Sequence, residues 1–215
     1  MAAILMVLLF AGCAPFHTAG RVQSGRRALI ADQPERALAY FQQAAESDPN
    51  YVYSSARFQE GVWTYVGRAQ YALGESPEAR RSFERALTVY QDDPMAQLYL
   101  GLAMLRDGDQ RQGLPQLEQG MENLSEWIDY LNYSKPSYAY WDPHARIRAE
   151  IDQTLARIRA EKLESGSEII ASAEWVGRQM EEEIDKVRRD ERRHFERERQ
   201  HDFRRGLSVG AGFGF

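Results

Sequence analysis

A pattern of small and aromatic residues, Ala-x3-Phe-x2-Ala, occurs twice and constrains the fold more than any other feature of the chain. Both copies begin 12 residues after a glycine. The copies are Ala37/Phe41/Ala44, which follow Gly25, and Ala79/Phe83/Ala86, which follow Gly67. Small residues let two antiparallel helices approach closely, and a large ring fills the gap to the next pair of helices. The pattern therefore predicts stacked pairs of antiparallel helices.

The second copy carries a longer signature. Trp63-x2-Val66-Gly67, followed by Ala79, Phe83 and Ala86, resembles the tetratricopeptide repeat, a helix–turn–helix unit of about 34 residues. The resemblance implies an all-α fold with a short α-α solenoid, because one unit cannot bury its own apolar face and must stack on its neighbours. It also implies a role in binding other proteins.

Three repeats fit the chain, at about 18–51, 60–93 and 94–127, and we assign the repeat region to residues 13–124. Gly25 and Gly67 are 42 residues apart, so residues 50–59 hold an insertion or a longer helix. In the third copy Gly113 and Gly120 replace the alanines, and Leu117 replaces the phenylalanine. Pro115 would fall inside the second helix of that copy, where proline either costs about 3 kcal/mol or forces a later start.

By the resemblance, the first helix of each repeat lines a groove that captures a peptide or a helix of a partner protein. The residues at the groove positions are Arg26 and Leu29 in the first repeat, Thr64, Arg68 and Tyr71 in the second, and Leu98, Leu102 and Leu105 in the third. We expect the arginines to meet acidic groups and the leucines to contact apolar side chains.

The N-terminus indicates export. Residues 2–12 carry no charge and are too short to span a bilayer, which is typical of a signal peptide, here 1–12. The segment 9–13 resembles a bacterial lipobox, which implies acylation at Cys13, for example by palmitate. Ala14 after the cysteine then implies an outer-membrane lipoprotein that faces the periplasm. The alternative is a buried cysteine on an apolar N-terminal helix.

Residues 125–163 form an aromatic segment and a capping helix. The rings are Trp127, Tyr130, Tyr133, Tyr138, Tyr140 and Trp141. They fit a roof over the open end of the solenoid, and the alternative is a patch that binds peptide or cell-wall glycan. Asp142-Pro143 predicts the start of a helix whose apolar stripe is Ile147, Ile151, Leu155 and Ile158.

Beyond a linker at 164–168, residues 169–205 predict one long charged helix, followed by a Gly-rich tail at 206–215 that we expect to be disordered. We interpret the helix as a solvated element laced with ion pairs. Its apolar stripe from Ile169 to Val187 also fits a coiled-coil seam, through which the chain would form a homo-oligomer or meet a partner helix.

Charge and motifs exclude several classes of function. The net charge of −5 argues against nucleic-acid binding. Residues 186–205 hold nine basic and five acidic side chains, a balance that favours an anionic lipid surface only weakly because the acids are interleaved. Glu191, His194, Glu198 and His201 share a helix face, but we expect no metal there, no cofactor and no catalytic residue.

The sequence thus predicts a non-enzymatic, membrane-anchored adaptor of the bacterial envelope that binds partner proteins through its repeat groove. Two alternatives stay open. One is a structural oligomer formed through the helix 169–205, and the other is an accessory factor that binds cell-wall glycan through the aromatic segment.

Overall fold

The computed structural model describes the backbone of residues 14–134, 140–160 and 166–210, and the side chains of residues 17–133, 140–160 and 166–201. The signal peptide predicted at 1–12, Cys13 and Tyr138 lie outside the described residues. Within the described ranges, no helix combines the length and the apolar character needed to cross a membrane.

The predicted all-α architecture is confirmed, with one short β-hairpin added. The elements are α1 (Ala14–Ile30), α2 (Pro34–Ser47), β1 (Val52–Ser55), β2 (Phe58–Gly61), α3 (Val62–Ala72), α4 (Ser76–Val89), α5 (Pro94–Arg106), α6 (Gln110–Ser134), α7 (Arg146–Arg159) and α8 (Gly166–Gly210). Helices α1 and α2, α3 and α4, and α5 and α6 form three packed pairs, and each pair stacks on the next.

The repeated glycine and phenylalanine explain how the first two pairs close. A Cβ atom on Gly25 would lie 2.4 Å from the Phe41 ring, and one on Gly67 would lie 2.6 Å from the Phe83 ring. Both rings are fully buried. The glycine of the first helix therefore makes the space that the aromatic residue of the second helix fills. Each ring also stacks on a tyrosine of the next pair, Phe41 on Tyr65 and Phe83 on Tyr99, so the predicted filling of the gap to the next repeat is confirmed.

The third pair uses the same principle with a different partner. A Cβ atom on Gly101 would lie 2.5 Å from the backbone nitrogen of Leu117, and one on Gly120 would lie 2.4 Å from that of Leu98. The helices α5 and α6 thus approach backbone to backbone. Of the two outcomes expected for Pro115, the later start does not occur, because α6 begins at Gln110 and contains the proline.

The extra residues between the first two repeats form the antiparallel hairpin β1–β2, with Val52 opposite Gly61 and Ser55 opposite Phe58. Its tip residues, Ala56 and Arg57, have positive φ angles, as a tight reversal requires. The hairpin places Phe58 in the main core and Glu60 against the concave side of the repeats.

The aromatic segment divides between core and surface. Trp127 and Trp141 pack edge to face at 4.6 Å, and Phe58 lies 4.7 Å from Trp127. Tyr130, Tyr133 and Tyr140 are exposed. The tryptophans therefore roof the end of the solenoid, whereas these three tyrosines do not.

Helix α7 begins at Arg146, so the start predicted at Pro143 is wrong. The capping role of Asp142 holds nevertheless, since its carboxylate accepts hydrogen bonds from the backbone nitrogens of Ile147 and Arg148, both at 3.1 Å. Such a bond satisfies amide groups that the first helical turn leaves unpaired.

Helix α8 differs most from the sequence prediction. It begins inside the predicted linker at Gly166 and continues through Gly210, into the predicted tail. Its apolar stripe is buried, with exposures of 0–4% at Ile169, Ala173, Val176, Met180, Ile184 and Val187. The interpretation as a solvated helix is therefore wrong for this half, and the stripe packs inside its own chain rather than forming a seam for a second copy.

The close approach of α5 and α6 predicts unequal effects of two Gly→Ala substitutions. Gly101→Ala forces the two backbones apart, and we expect a loss of about 1–3 kcal/mol in the free energy of unfolding. A Cβ atom on Gly20, inside α1, would meet no neighbouring heavy atom within 4 Å apart from the backbone of its own helix. Gly20→Ala should therefore raise the free energy of unfolding by about 0.5–1 kcal/mol. Urea unfolding measures both, and equal effects would contradict the packing described.

Candidate functional site

Helix α8 occupies the concave face of the repeats. It meets the helices in the reverse of their chain order, so its first turns lie against α7 and its later turns against α1. The successive contacts are Ser172 with Thr154 of α7, Gly177 with Tyr99 of α5, Glu181 with Arg68 of α3, and Asp185 with Arg26 of α1. The groove predicted for a partner thus contains a helix of the same chain.

A buried cluster of charges holds the middle of α8. Glu181 accepts hydrogen bonds from Arg26 Nε and, at 2.7 Å, from Arg68 Nη1. Arg26 Nη2 also lies 3.1 Å from Asp185 Oδ1. Arg26, Arg68 and Glu181 are at most 5% exposed. Burial by itself would raise the pKa of Glu181, but the two guanidinium charges hold that pKa below its ordinary value.

Glu60 of the hairpin completes this cluster. Its carboxylate accepts from Arg68 Nη1 at 3.0 Å and from the hydroxyl of Tyr65 at 2.5 Å. Burial raises the pKa of Glu60 to about 7, although the charge of Arg68 opposes the shift. Arg68 therefore bridges two buried glutamates, one from the hairpin and one from α8, and Arg26 binds the second of them.

A second polar contact lies nearer the start of α8. Glu174 Oε1 accepts from the Tyr71 hydroxyl and from Arg106 Nη2, both at 2.6 Å. The Arg106 guanidinium also covers the Tyr71 ring at 4.0 Å from its centre. This contact ties α8 to the C-terminal ends of α3 and α5.

Gly177 lets α8 approach the repeats between the two polar contacts. A Cβ atom at this position would lie 2.5 Å from the hydroxyl oxygen of Tyr99. The interior glycine of a long helix normally destabilises it. Here the missing side chain makes room for a tyrosine of α5.

The structure accounts for each residue predicted to line the groove. Arg26, Arg68 and Tyr71 face α8 through polar contacts. Leu98 and Leu102 are fully buried in the core, and Leu29 and Leu105 are partly buried. Thr64 instead joins two repeats, because its hydroxyl donates to the Asp93 carboxylate at 2.6 Å. Whether these residues bind a partner stays a prediction.

Sequence reasoning missed the residues that face the arginines. Glu60, Glu174 and Glu181 belong to the hairpin and to α8, and each resembles an ordinary surface charge in the sequence. Arg26 and Arg68 each directly follow a repeat glycine. This repeated position of an arginine was the one sequence signal for acidic side chains of the same chain opposite them.

An open cleft remains beside α8, with a volume of about 420 Å³. One side is apolar and the other carries charged side chains of α5 and α8. The cleft is lined by Leu29, Ile30, Asp32, Pro34, Arg68, Tyr71, Ala72, Tyr99, Arg106, Glu174, Arg178, Glu181 and Glu182. Ile30 is 51% exposed there, and Leu29, Arg68 and Tyr71 are groove positions predicted from the sequence.

The described part of the chain holds no group of three or more His, Cys, Asp or Glu residues placed to bind a metal ion. In the Glu/His series of α8, His194 Nδ1 lies 3.5 Å from Glu198 Oε2, which is a surface pair.

Residues 67–118 match the family model of the tetratricopeptide repeat. This stretch, about a quarter of the chain, is thus similar to the tetratricopeptide repeat, whose stacked units present extended surfaces to other proteins. No match was found among curated proteins. Among solved structures, the type III secretion translocator chaperone SycD of Yersinia enterocolitica (alternative dimer) is similar, with a TM-score of 0.48 and 16% identity over 69% of this chain and 96% of that chain.

The shifted pKa of Glu60 predicts a pH-dependent effect of Glu60→Gln. Because the folded pKa of about 7 exceeds the ordinary value of 4.5, the contribution of Glu60 to stability falls as the pH rises between them. Glutamine cannot titrate, so the Tm of the variant minus that of the wild type should be more positive at pH 8 than at pH 5. Thermal unfolding followed by circular dichroism measures this difference.

Glu84→Gln is the matched control, because Glu84 pairs with Arg80 at 3.1 Å on the surface and is half exposed. The Tm of Glu84→Gln minus that of the wild type should change little with pH. The account of the cluster would be contradicted if the Tm of Glu60→Gln minus that of the wild type stayed constant or became more negative towards pH 8.

Proposed function

We propose that the protein is a non-enzymatic adaptor, tethered to a bacterial envelope membrane through Cys13, whose repeats hold α8 and bind a segment of a partner protein in the cleft beside it. The observation that carries the proposal is this cleft. It is the part of the tetratricopeptide groove that α8 leaves open, and it retains three of the predicted groove residues, Leu29, Arg68 and Tyr71.

The two sides of the cleft define the chemistry of the partner. Leu29, Ile30 and Pro34 form an apolar side, and the exposure of Ile30 leaves apolar surface that a partner side chain would remove from water. On the other side Arg178 is exposed and forms no ion pair with any described residue. Arg106 is already engaged by Glu174. The cleft therefore suits a segment that carries an apolar side chain for Ile30 and an acidic one that reaches Arg178 and stays away from Asp32 and Glu182, which also line the cleft.

The tether rests on the sequence. The apolar run before Cys13 and the small residues beside it support acylation of the thiol, as in bacterial lipoproteins. Several acyl chains together anchor a protein stably, since each buried methylene contributes about 0.8 kcal/mol. Helix α1 begins at Ala14, directly after the cysteine, so the first repeat would lie next to the membrane.

Photo-crosslinking tests the cleft. A benzoylphenylalanine at position 30 should crosslink a distinct envelope protein in living cells, and Arg178→Gln should weaken that product. The same group at position 81, where Arg81 is exposed on α4, is the control. Mass spectrometry identifies the product and its crosslinked segment. Equal products at both positions, or a segment without acidic and apolar side chains, would contradict the proposed site.

Metabolic labelling tests the tether. We expect an alkyne fatty acid to label the wild-type protein and to leave Cys13→Ser unlabelled, because the thiol is the acylated group. The mass of the mature N-terminal peptide should show the added acyl chains on residue 13. An unacylated peptide that begins at Met1 would refute the tether without affecting the cleft.

A further inference from the structure

Helix α8 extends well beyond the repeats at the end of the stack formed by α1. Val187 is 2% exposed, whereas Arg188 is half-buried and lies against α1, where its Nη1 donates to Gln23 Oε1 at 2.6 Å. From Arg189 to His201 the side chains are exposed or half-exposed. We refer to residues 188–210 as the arm; at 1.5 Å per residue it is about 35 Å long.

The edge of α8 that faces α1 and α3 changes sign where the arm begins. Inside the groove this edge carries Glu174, Glu181 and Asp185, which contact Arg106, Arg68 and Arg26. Steps of three and four residues keep to one face of a helix. Continued with such steps, the same edge carries Arg188, Arg192, Phe195 and Arg199.

We call Arg188, Arg192 and Arg199 the arginine edge. Arg189 and Arg193 lie on the neighbouring face of the helix. Glu191, three residues after Arg188, and Glu196, four residues after Arg192, border the edge, whereas Asp190 and Glu198 lie farther round the helix.

Little within the chain neutralises the arginine edge. In the parts of the chain whose side chains are described, neither Arg192 nor Arg199 forms an ion pair, and Arg188 contacts a neutral glutamine. Residues 186–205 hold nine basic and five acidic side chains, while the whole chain carries −5. The arm thus carries an excess of positive charge on an acidic protein, and this excess is complementary to an anionic partner.

The position of the edge indicates which anionic surface it meets. Gln23, which contacts Arg188, lies in the same helix as Ala14 and ten residues after Cys13. That separation corresponds to about 15 Å of helix. We propose that the arginine edge binds the headgroups of anionic phospholipids in the membrane that holds Cys13. This inference rests on the tether of the proposed function and adds a second, electrostatic contact with the same bilayer.

Vesicle co-flotation tests the edge independently of acylation. All chains carry Cys13→Ser at full length, and the vesicles are phosphatidylcholine with or without phosphatidylglycerol. The triple variant Arg188→Gln/Arg192→Gln/Arg199→Gln should lose about a hundredfold in partition into the anionic vesicles. Binding of the parent chain should also weaken as salt is added, because screening reduces the attraction.

Two further variants control for folding and for total charge. Arg192→Gln/Arg199→Gln avoids the contact with Gln23 and should still lose about tenfold or more. The variant Arg36→Gln/Arg81→Gln/Arg111→Gln changes the net charge equally at exposed sites on the repeats, and it should bind anionic vesicles as the parent chain does.

Equal partition of the arm and control variants, or equal binding of the parent chain to neutral and anionic vesicles, would overturn the lipid contact. An arm that binds an acidic protein instead would give that result. Failure of fatty-acid labelling at Cys13 would remove the tether alone, and the two results are therefore distinguishable.

Discussion

The buried contact of Glu181 with Arg26 and Arg68 is the interaction on which the rest of the structure depends. It joins α8 to the first helices of two repeats across 155 and 113 residues of chain. Removing one partner of such a buried pair leaves an uncompensated charge and typically costs about 3–5 kcal/mol. The apolar stripe of α8 is buried against the other helices. The ion pairs form at only one position of α8 along the groove, so they fix its register.

This arrangement explains which surfaces stay open to other molecules. A groove that is filled in cis does not offer its buried floor to a partner, so we propose recognition at the cleft beside Ile30 and at the arm beyond Val187. A linked helix also competes with any free helix at a high effective concentration. The protein is thus better described as a scaffold with a fixed helix than as an empty peptide receptor.

Local features of the sequence predicted the repeats well, because Gly25 with Phe41 and Gly67 with Phe83 report contacts inside one helix pair. The third pair was harder to interpret, since Gly101 and Gly120 allow a backbone approach that the spacing of alanines does not describe. Only half of the buried charge cluster was predicted from the sequence. Arg26 and Arg68 were identified as groove residues, but their partners Glu60 and Glu181 are distant in sequence and belong to segments with an ordinary surface composition.

Native-state hydrogen exchange along α8 tests the central claim most directly. If the repeats hold this helix, amides of 173–187 should exchange slowly, close to the rate set by global unfolding, and those of 192–201 should exchange much faster. Arg68→Gln should reduce the protection of 173–187 more than that of α4. Uniformly fast exchange along the whole of α8 in the wild type would show that the helix is not held in the groove and would contradict the account.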